Sequence, residues 1–504
     1  MLFNSGVFLL FFLPLTLIGY QWLSRFGRRP ILGWLALASL VFYSWWNWHF
    51  TFILVGSLLT NFLASKLIAS AQTPAQKKLW MVSGIALNLA ILCYYKYLFP
   101  LLHFFGSVFD LHHDWGSVAL PLGISFFTFT QIAYLIDLAQ GEAEGQSIVE
   151  YALFVTFFPH LIAGPIIHHK EMMPQFLAER YGRVNKDDML VGMTWFILGL
   201  AKKCILADTI AIRADQAFAV GSSLGIQGAW CGIISYSLQL YFDFSGYSDM
   251  AIGLARMFSI RFPLNFNSPY KAENIQGYWQ RFHMTLTRYI TLYLYNPISL
   301  AVSRRRLRAG KKVSKKAART VPGFLSMIAW PTMVAMLLAG VWHGAGIQYL
   351  IFGLLHGAYL TVNQAWHLYR GQVAERKPAG WLARVASILL TYVCVLVAQV
   401  FFRAASTADA LHYLAGMFGL HGASWQDAAA KPSRVLVAAI GLLIVWFCPN
   451  TQEILNQADA SISSSRWAWM TWRPDLKWSV AIGVLFLVSL LYIQNTATFL
   501  YFQF

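Results

Sequence analysis

Phe324-Leu-Ser-Met-Ile-Ala-Trp-Pro-Thr-Met-Val-Ala-Met-Leu-Leu-Ala-Gly-Val341-Trp342-His343-Gly344-Ala345-Gly346 decides how the rest of this chain is read. Eighteen residues without a charge run into a histidine, and a second apolar run, 349–359, begins three residues after the second glycine. Apolar runs of this length cross a hydrocarbon core of roughly 30 Å. An ionisable side chain at the border of two such runs is expensive to keep and marks a functional position by default. Sixty residues upstream, Trp279-Gln280-Arg281-Phe282-His283-Met284-Thr285 sets a second histidine at the start of another apolar stretch.

The same pattern extends outward over the chain. Of 504 residues, 58% are hydrophobic and 12% charged, with a mean hydropathy of +0.53. A soluble domain carries roughly 25% charged residues, so the solvent for most of this chain is lipid. Apolar stretches fall at 7–23, 31–46, 50–69, 79–102, 117–138, 150–167, 189–212, 228–256, 283–302, 323–341, 347–368, 381–402, 434–448 and 478–494. Several are short or broken by Pro and Gly. The expectation is an all-α integral membrane protein with about 11–13 membrane segments, some re-entrant. The alternation of a transmembrane barrel is missing.

Met1-Leu-Phe-Asn-Ser-Gly6 has no basic residue, and no small-residue cleavage site follows the first apolar run, so that run reads as a first span, not a signal peptide. Arg25, Arg28 and Arg29 behind it place the N-terminus outside by the positive-inside rule. The tail 495–504, free of basic residues, is expected outside as well. The formal charge of +17 is mainly a statement of topology and does not call for nucleic acid. Basic residues cluster at Lys66, Lys77 and Lys78, at Lys170, Arg180, Arg183 and Lys186, at Lys202 and Lys203, at Arg370, Arg376, Lys377 and Arg384, and at Arg466, Arg473 and Lys477. These read as cytoplasmic loops. The densest run, 304–319, holds nine Lys or Arg and no acid. It suits an anchor on anionic lipid headgroups or electrostatic capture of a polyanionic cytosolic substrate such as a CoA thioester.

The longest polar connections, 168–188, 303–322 and 450–477, are too short for a separate soluble domain, so 1–504 reads as one polytopic domain. Its working core is expected at about 150–370, where apolar stretches carry Pro, Gly, Asp, Ser, His and Asn. Polar or irregular backbone at membrane depth is tolerated only where protein buries it or a wet cavity meets it. Five scattered cysteines without a CxxC pair read as small core residues.

Four constellations in this core bear on chemistry. In the first, a helix through Trp279, His283 and Thr287 would place all three on one face, with the polar approach Asn265-Phe-Asn-Ser-Pro-Tyr-Lys271 before it; Arg281 lies between, and His283 reads as a substrate-orienting or acid–base residue, or as an interfacial histidine bonded to backbone. In the second, Gly344 and Gly346 end the helix at His343, beside Trp342, where a neutral imidazole is a natural general base near pH 7; a packed structural histidine is the alternative. The third, Leu240-Tyr-Phe-Asp243-Phe-Ser245-Gly-Tyr247-Ser-Asp249-Met250, puts two carboxylates in one apolar stretch. It lacks the G-x-S-x-G elbow of a serine nucleophile, which leaves Asp243, Ser245 and Tyr247 as polar lining or packing. The fourth, Phe158-Pro159-His160-Leu-Ile-Ala-Gly164-Pro165, is too short to span and reads as a broken or re-entrant segment with His160 lining or supporting a funnel. No H-E-x-x-H is present, the adjacent pair His168-His169 falls in a basic loop, and His283 with His343 lacks an evident third ligand, so no metal is expected. Walker A and dinucleotide fingerprints are also missing.

These four constellations, in this order and together with the closing Phe-Leu-Tyr-Phe-Gln-Phe504, resemble the membrane-bound O-acyltransferase family, most nearly its alginate O-acetylating group. The likeness covers essentially the whole chain. It implies helices, some re-entrant, around a central funnel, and transfer of an acetyl group from cytosolic acetyl-CoA, as a substrate, to an extracytoplasmic polysaccharide. It also implies a separate periplasmic acetyltransferase or esterase-like partner, a bacterial inner-membrane location, and His283 and His343 as the two signature histidines. After His283, Thr291-Leu-Tyr-Leu-Tyr-Asn-Pro-Ile-Ser-Leu300 lacks the Arg-Asp and Gly-Gly-Asn that alginate-type relatives carry there. Alginate, cellulose, another exopolysaccharide and peptidoglycan therefore stay open as acceptors. D-alanyl transfer to teichoic acid is the rival chemistry, and a glycan-precursor transporter the rival class.

Overall fold

The computed structural model describes residues 1–111, 113, 115–178, 185–219, 224–370, 380–423, 431–455, 468–493 and 499–500. Arg180, Arg183, Arg376, Lys377, Arg466 and the tail 495–504 other than Phe499 and Leu500 lie outside the described residues. Among the described residues there is no strand. Among the described residues, six helices are long and apolar enough to cross a membrane: Phe8–Phe26, Trp48–Ser70, Pro74–Val108, Lys186–Ala219, Val321–His343 and Trp381–Arg403, with Pro432–Phe447 and Leu476–Tyr492 as shorter apolar helices. The expected count of 11–13 drew in addition on Ile226–Met257 and Ile347–Arg370, which are long but interrupted by polar side chains, and on pieces such as Ile148–Thr156 and Phe158–Leu161 that are too short to span alone. The paired prolines of 159–165 thus do break the chain: a four-residue helix is followed by turns and extended backbone.

The described chain forms two compact units. The first comprises Met1–Ile205, Phe244–Leu264 and Thr451–Gln503, and the second Leu206–Asp243 and Asn265–Asn450. Helix Ile226–Met257 contributes its early part to the second unit and its late part to the first.

In the first unit, two helices meet backbone to backbone. A Cβ on Gly199 would stand 2.6 Å from the carbonyl oxygen of Gly246, and one on Gly246 would stand 2.8 Å from that of Gly199. Seven residues along, Gly192 and Gly253 repeat the arrangement at 2.7 and 2.6 Å. Lipid tails are as apolar as leucine, so helices in a membrane associate through close packing, and glycine permits the closest approach. Gly246→Val is expected to destabilise the protein by about 3 kcal/mol, the upper end of the usual overpacking range, because the atoms it meets are main chain and cannot swing aside. Thermal unfolding of the detergent-purified variant measures this; an unchanged midpoint would contradict the packing.

Beyond the glycine pairs, Asp249 is enclosed by three donors. Lys202 Nζ lies 2.6 Å from Oδ2, Thr451 Oγ1 2.7 Å from Oδ2, and Trp195 Nε1 3.1 Å from Oδ1. This corrects the placement of Lys202 and Lys203 in a cytoplasmic loop. Both lie in a π-helical turn, Lys202–Ala207, inside the membrane-length helix Lys186–Ala219, and Lys203 is buried. Lys202 is tolerated there because its charge is met in place by Asp249. The same unit buries His168 and His169. The His169 ring packs on Tyr134 and Phe154 at centroid distances of 5.0 and 5.8 Å, so the pair is core rather than solvated loop.

The basic run 304–319 does stay at the surface. Helix Asn296–Arg308 carries the chain to it, and all its cationic residues are exposed except Arg306, which is partly buried. Arg306 ties the segment down by donating to Ser326 Oγ at 2.7 Å and to the Lys312 carbonyl at 3.4 Å.

Candidate functional site

The second unit holds both signature histidines. His283 does not lie within a helix that runs on from Trp279, as the spacing suggests. Helix Ile275–Trp279 ends at the tryptophan, a turn follows, and His283 takes a left-handed conformation (φ 47°, ψ 53°) as N-cap of Met284–Ile290. The polar approach segment 265–271 accounts for this break. The Asn267 amide donates to the Arg281 carbonyl at 2.8 Å and the Met284 amide to the Asn265 carbonyl at 2.9 Å, so backbone that a helix would satisfy is satisfied laterally. Histidine is among the residues enriched in this strained region. It does begin a helix, though Met284–Ile290 and its continuation are not among the six helices long and apolar enough to cross a membrane.

The Asn265 side chain sets the chemistry of His283. Its Oδ1 accepts from Thr285 Oγ1 at 2.8 Å, from the Thr285 amide at 3.4 Å and from His283 Nδ1 at 3.0 Å. A backbone amide is always a donor, so the atom facing it is oxygen and not the side-chain nitrogen. Nδ1 of His283 must then carry the hydrogen, and in the neutral ring Nε2 carries the lone pair. The ring is buried. Asn265→Ala would leave that buried Nδ1–H and the Thr285 hydroxyl without their shared acceptor, at about 1–3 kcal/mol for each stranded group. Transfer is expected to fall about 10- to 100-fold, whereas Thr285→Val, which spares the histidine's bond, is expected to fall less. Equal losses in the two variants, assayed at equal membrane abundance, would remove the tautomer argument.

His343 closes helix Trp330–His343, and Gly344 continues in extended backbone, so the glycine does end the helix. The following helix, Ile347–Arg370, folds back directly. A Cβ on Gly340 would come within 2.9 Å of Gly353 Cα, and one on Gly344 would strike the Tyr349 ring. The buried imidazole is walled by aromatic rings: Trp342 at 4.6 Å, Phe402 at 5.0 Å (76°) and Phe352 at 5.8 Å (89°) between centroids.

A third buried histidine of this unit, His356, is not among the residues singled out from the sequence. It lies in Ile347–Arg370, and its Nδ1 accepts the Trp279 indole N–H at 3.2 Å. Phe352 packs against both His343 and His356, the latter at 4.7 Å. Trp279 therefore links the segment of His283 to the helix hairpin of His343. Thr287 completes the connection by donating to the Trp279 carbonyl at 2.8 Å and to that of His283 at 3.4 Å. The available signal was an ionisable residue within an apolar helix, Leu354-Leu355-His356-Gly357.

The other expected site residues separate into two groups. Arg281 is partly buried in the turn before His283, and Asp243 is buried in the second unit. Ser245, Tyr247 and His160 belong to the first unit. Tyr247 is sandwiched between Phe3 (4.8 Å, 22°) and Phe499 (4.6 Å, 25°), which makes it a packing residue. His160 donates Nε2–H to the Phe154 carbonyl at 3.0 Å and packs on Phe262, a structural arrangement. Among the described residues, no three His, Cys, Asp or Glu side chains converge as a metal-ligand set.

Residues 43–313 match the membrane-bound O-acyltransferase (MBOAT) family, a stretch that includes His283 and stops before His343. The chain is 35% identical to a peptidoglycan O-acetyltransferase of Helicobacter pylori, over 100% of this chain and 98% of that protein. It is 33% identical to a probable alginate O-acetylase of Pseudomonas putida over the full length of both. A teichoic acid D-alanyltransferase of Streptococcus thermophilus is 27% identical over 51% of this chain and 60% of its own length.

Proposed function

The chain belongs to the membrane-bound O-acyltransferase family and is a multi-pass membrane acyltransferase, and from that premise we propose that it transfers an acetyl group from cytosolic acetyl-CoA to a hydroxyl of an extracytoplasmic polysaccharide. The observation that carries this reading is the aromatic-walled imidazole of His343, joined through Phe352, His356 and Trp279 to the segment of His283. The acceptor hydroxyl, or a serine of a periplasmic acetyltransferase or esterase-like partner, attacks the thioester carbonyl while His343 takes its proton. The tetrahedral intermediate then collapses, and the departing CoA thiolate recovers that proton from the imidazolium. His283, with its tautomer held by Asn265, orients the reacting groups. Inner-membrane location with both termini on the periplasmic side accompanies this reading.

The acceptor is a cell-surface polymer of the exopolysaccharide or peptidoglycan type, since full-length relatives carry names of both kinds. The half-length likeness to a D-alanyltransferase supports a second reading with an aminoacyl carrier protein as donor. Membranes containing the chain, given radiolabelled acetyl-CoA on the cytosolic side, are expected to deposit label in the surface glycan. Label transferred only from a D-alanyl carrier protein would replace the first reading with the second. Glycan-precursor flux without any acyl transfer would overturn both.

A further inference from the structure

We propose that His356 is a positioning residue of the acyl-transfer site, acting through Trp279 to hold the turn that carries His283. This rests on the acyl-transfer reading above. Helix Ile347–Arg370 buries an imidazole at His356, and burying a polar ring is costly unless it is bonded. Its bond is specific. An indole nitrogen only donates, so Nδ1 of His356 only accepts, and the ring is neutral with its hydrogen on Nε2.

What hangs on that bond is the whole approach to His283. The Trp279 ring stands edge-on to His356 at 5.1 Å and 81°. Tyr278 lies nearly parallel to His356 (6.2 Å, 8°) and to Phe282 (5.2 Å, 14°). Main-chain oxygens of Trp279 and His283 share the Thr287 hydroxyl. The short helix Ile275–Trp279 and the turn after it are thus seated on His356 at one end and fixed to His283 at the other. His356 also shares Phe352 with His343, so one side chain is in register with both signature histidines. The two anchored imidazoles hold opposite tautomers, His283 with its lone pair on Nε2 and His356 with its hydrogen there.

The test compares His356→Phe, His356→Asn, Trp279→Phe and the Trp279→Phe/His356→Phe pair with the unsubstituted full chain in membranes, using labelled acetyl-CoA, or D-alanyl carrier protein where that is the donor used. His356→Asn keeps an acceptor near the place of Nδ1. His356→Phe is expected to lower kcat about 10- to 100-fold with the donor KM changed less than about threefold, the mark of an interaction that matters in the transition state. Asn is expected to recover most of the loss. The paired variant is expected to be no worse than the poorer single one, since both remove one bond. If His356→Phe lowers membrane abundance, Trp279→Phe, which leaves His356 in place, reads the same bond. The proposal is overturned if Trp279→Phe keeps full kcat, if Asn rescues nothing at equal abundance, or if the two losses multiply. His343→Ala run alongside separates the two ideas: transfer that survives it sinks the acyl-transfer reading, and transfer lost there but intact in both His356→Phe and Trp279→Phe sinks only the role of His356.

Discussion

His343→Ala is expected to reduce acyl transfer at least about 100- to 1000-fold while the protein still inserts and accumulates. The lower figure is what removal of one preorganised catalytic group typically costs, and a general base contributes over a similar range. Insertion should survive because the histidine is the last residue of its helix and is followed by extended backbone, so the substitution breaks no turn of the span. The rings of Trp342, Phe352 and Phe402 stay in place around the space the imidazole leaves. Product acetylation by mass spectrometry of the surface glycan, at matched membrane abundance, is the measurement. Undiminished acetylation would remove His343 from the mechanism.

Lys202→Met is expected to produce the largest loss of stability, about 3–5 kcal/mol. Breaking one side of a buried ion pair strands the other charge, and Asp249 is only about 10% exposed, against 18% for Lys202. Trp195 and Thr451 would still donate to the carboxylate, which keeps the loss from being larger. Replacing both members, Lys202→Met with Asp249→Asn, is expected to recover part of it, because no unpaired charge stays buried while the amide oxygen still accepts from Trp195 or Thr451. Unfolding midpoints of the two variants in one detergent decide the matter. A single variant as stable as its parent would show that the pair contributes nothing, and a double variant as unstable as the single would show that the lysine acts by its shape.

How far the sequence could be read follows from what each signal measures. Long charge-poor runs report directly on a ~30 Å apolar slab, so Trp48–Ser70, Val321–His343 and Trp381–Arg403 were legible almost to the residue. The glycines after His343 told where its helix ends for the same local reason. Lys202 and Lys203 were misplaced because charge alone signals surface; for Lys202 only the fold supplies the carboxylate from another helix that makes its position tolerable. The helix through Trp279 and His283 was misread because its interruption depends on hydrogen bonds accepted by Asn265 and donated by the Asn267 amide, which no spacing within 279–287 encodes. His356 was visible as a polar letter in an apolar helix but gained meaning only when Trp279 arrived from seventy-seven positions away.

The run Val321–His343 also sets a scale for delivery. It is continuous helix over 23 residues, and at about 1.5 Å of rise per residue its ends lie roughly 33 Å apart. The exposed cationic run 304–319 ends just before its first residue, and His343 is its last. A donor whose phosphates rested on those cations would therefore be about the thickness of a hydrocarbon core from His343. On the acetyl-CoA reading proposed above, thioester and acceptor meet only if a long, thin arm threads that distance, so reach, rather than affinity for the headgroup, would select which carriers this enzyme can unload.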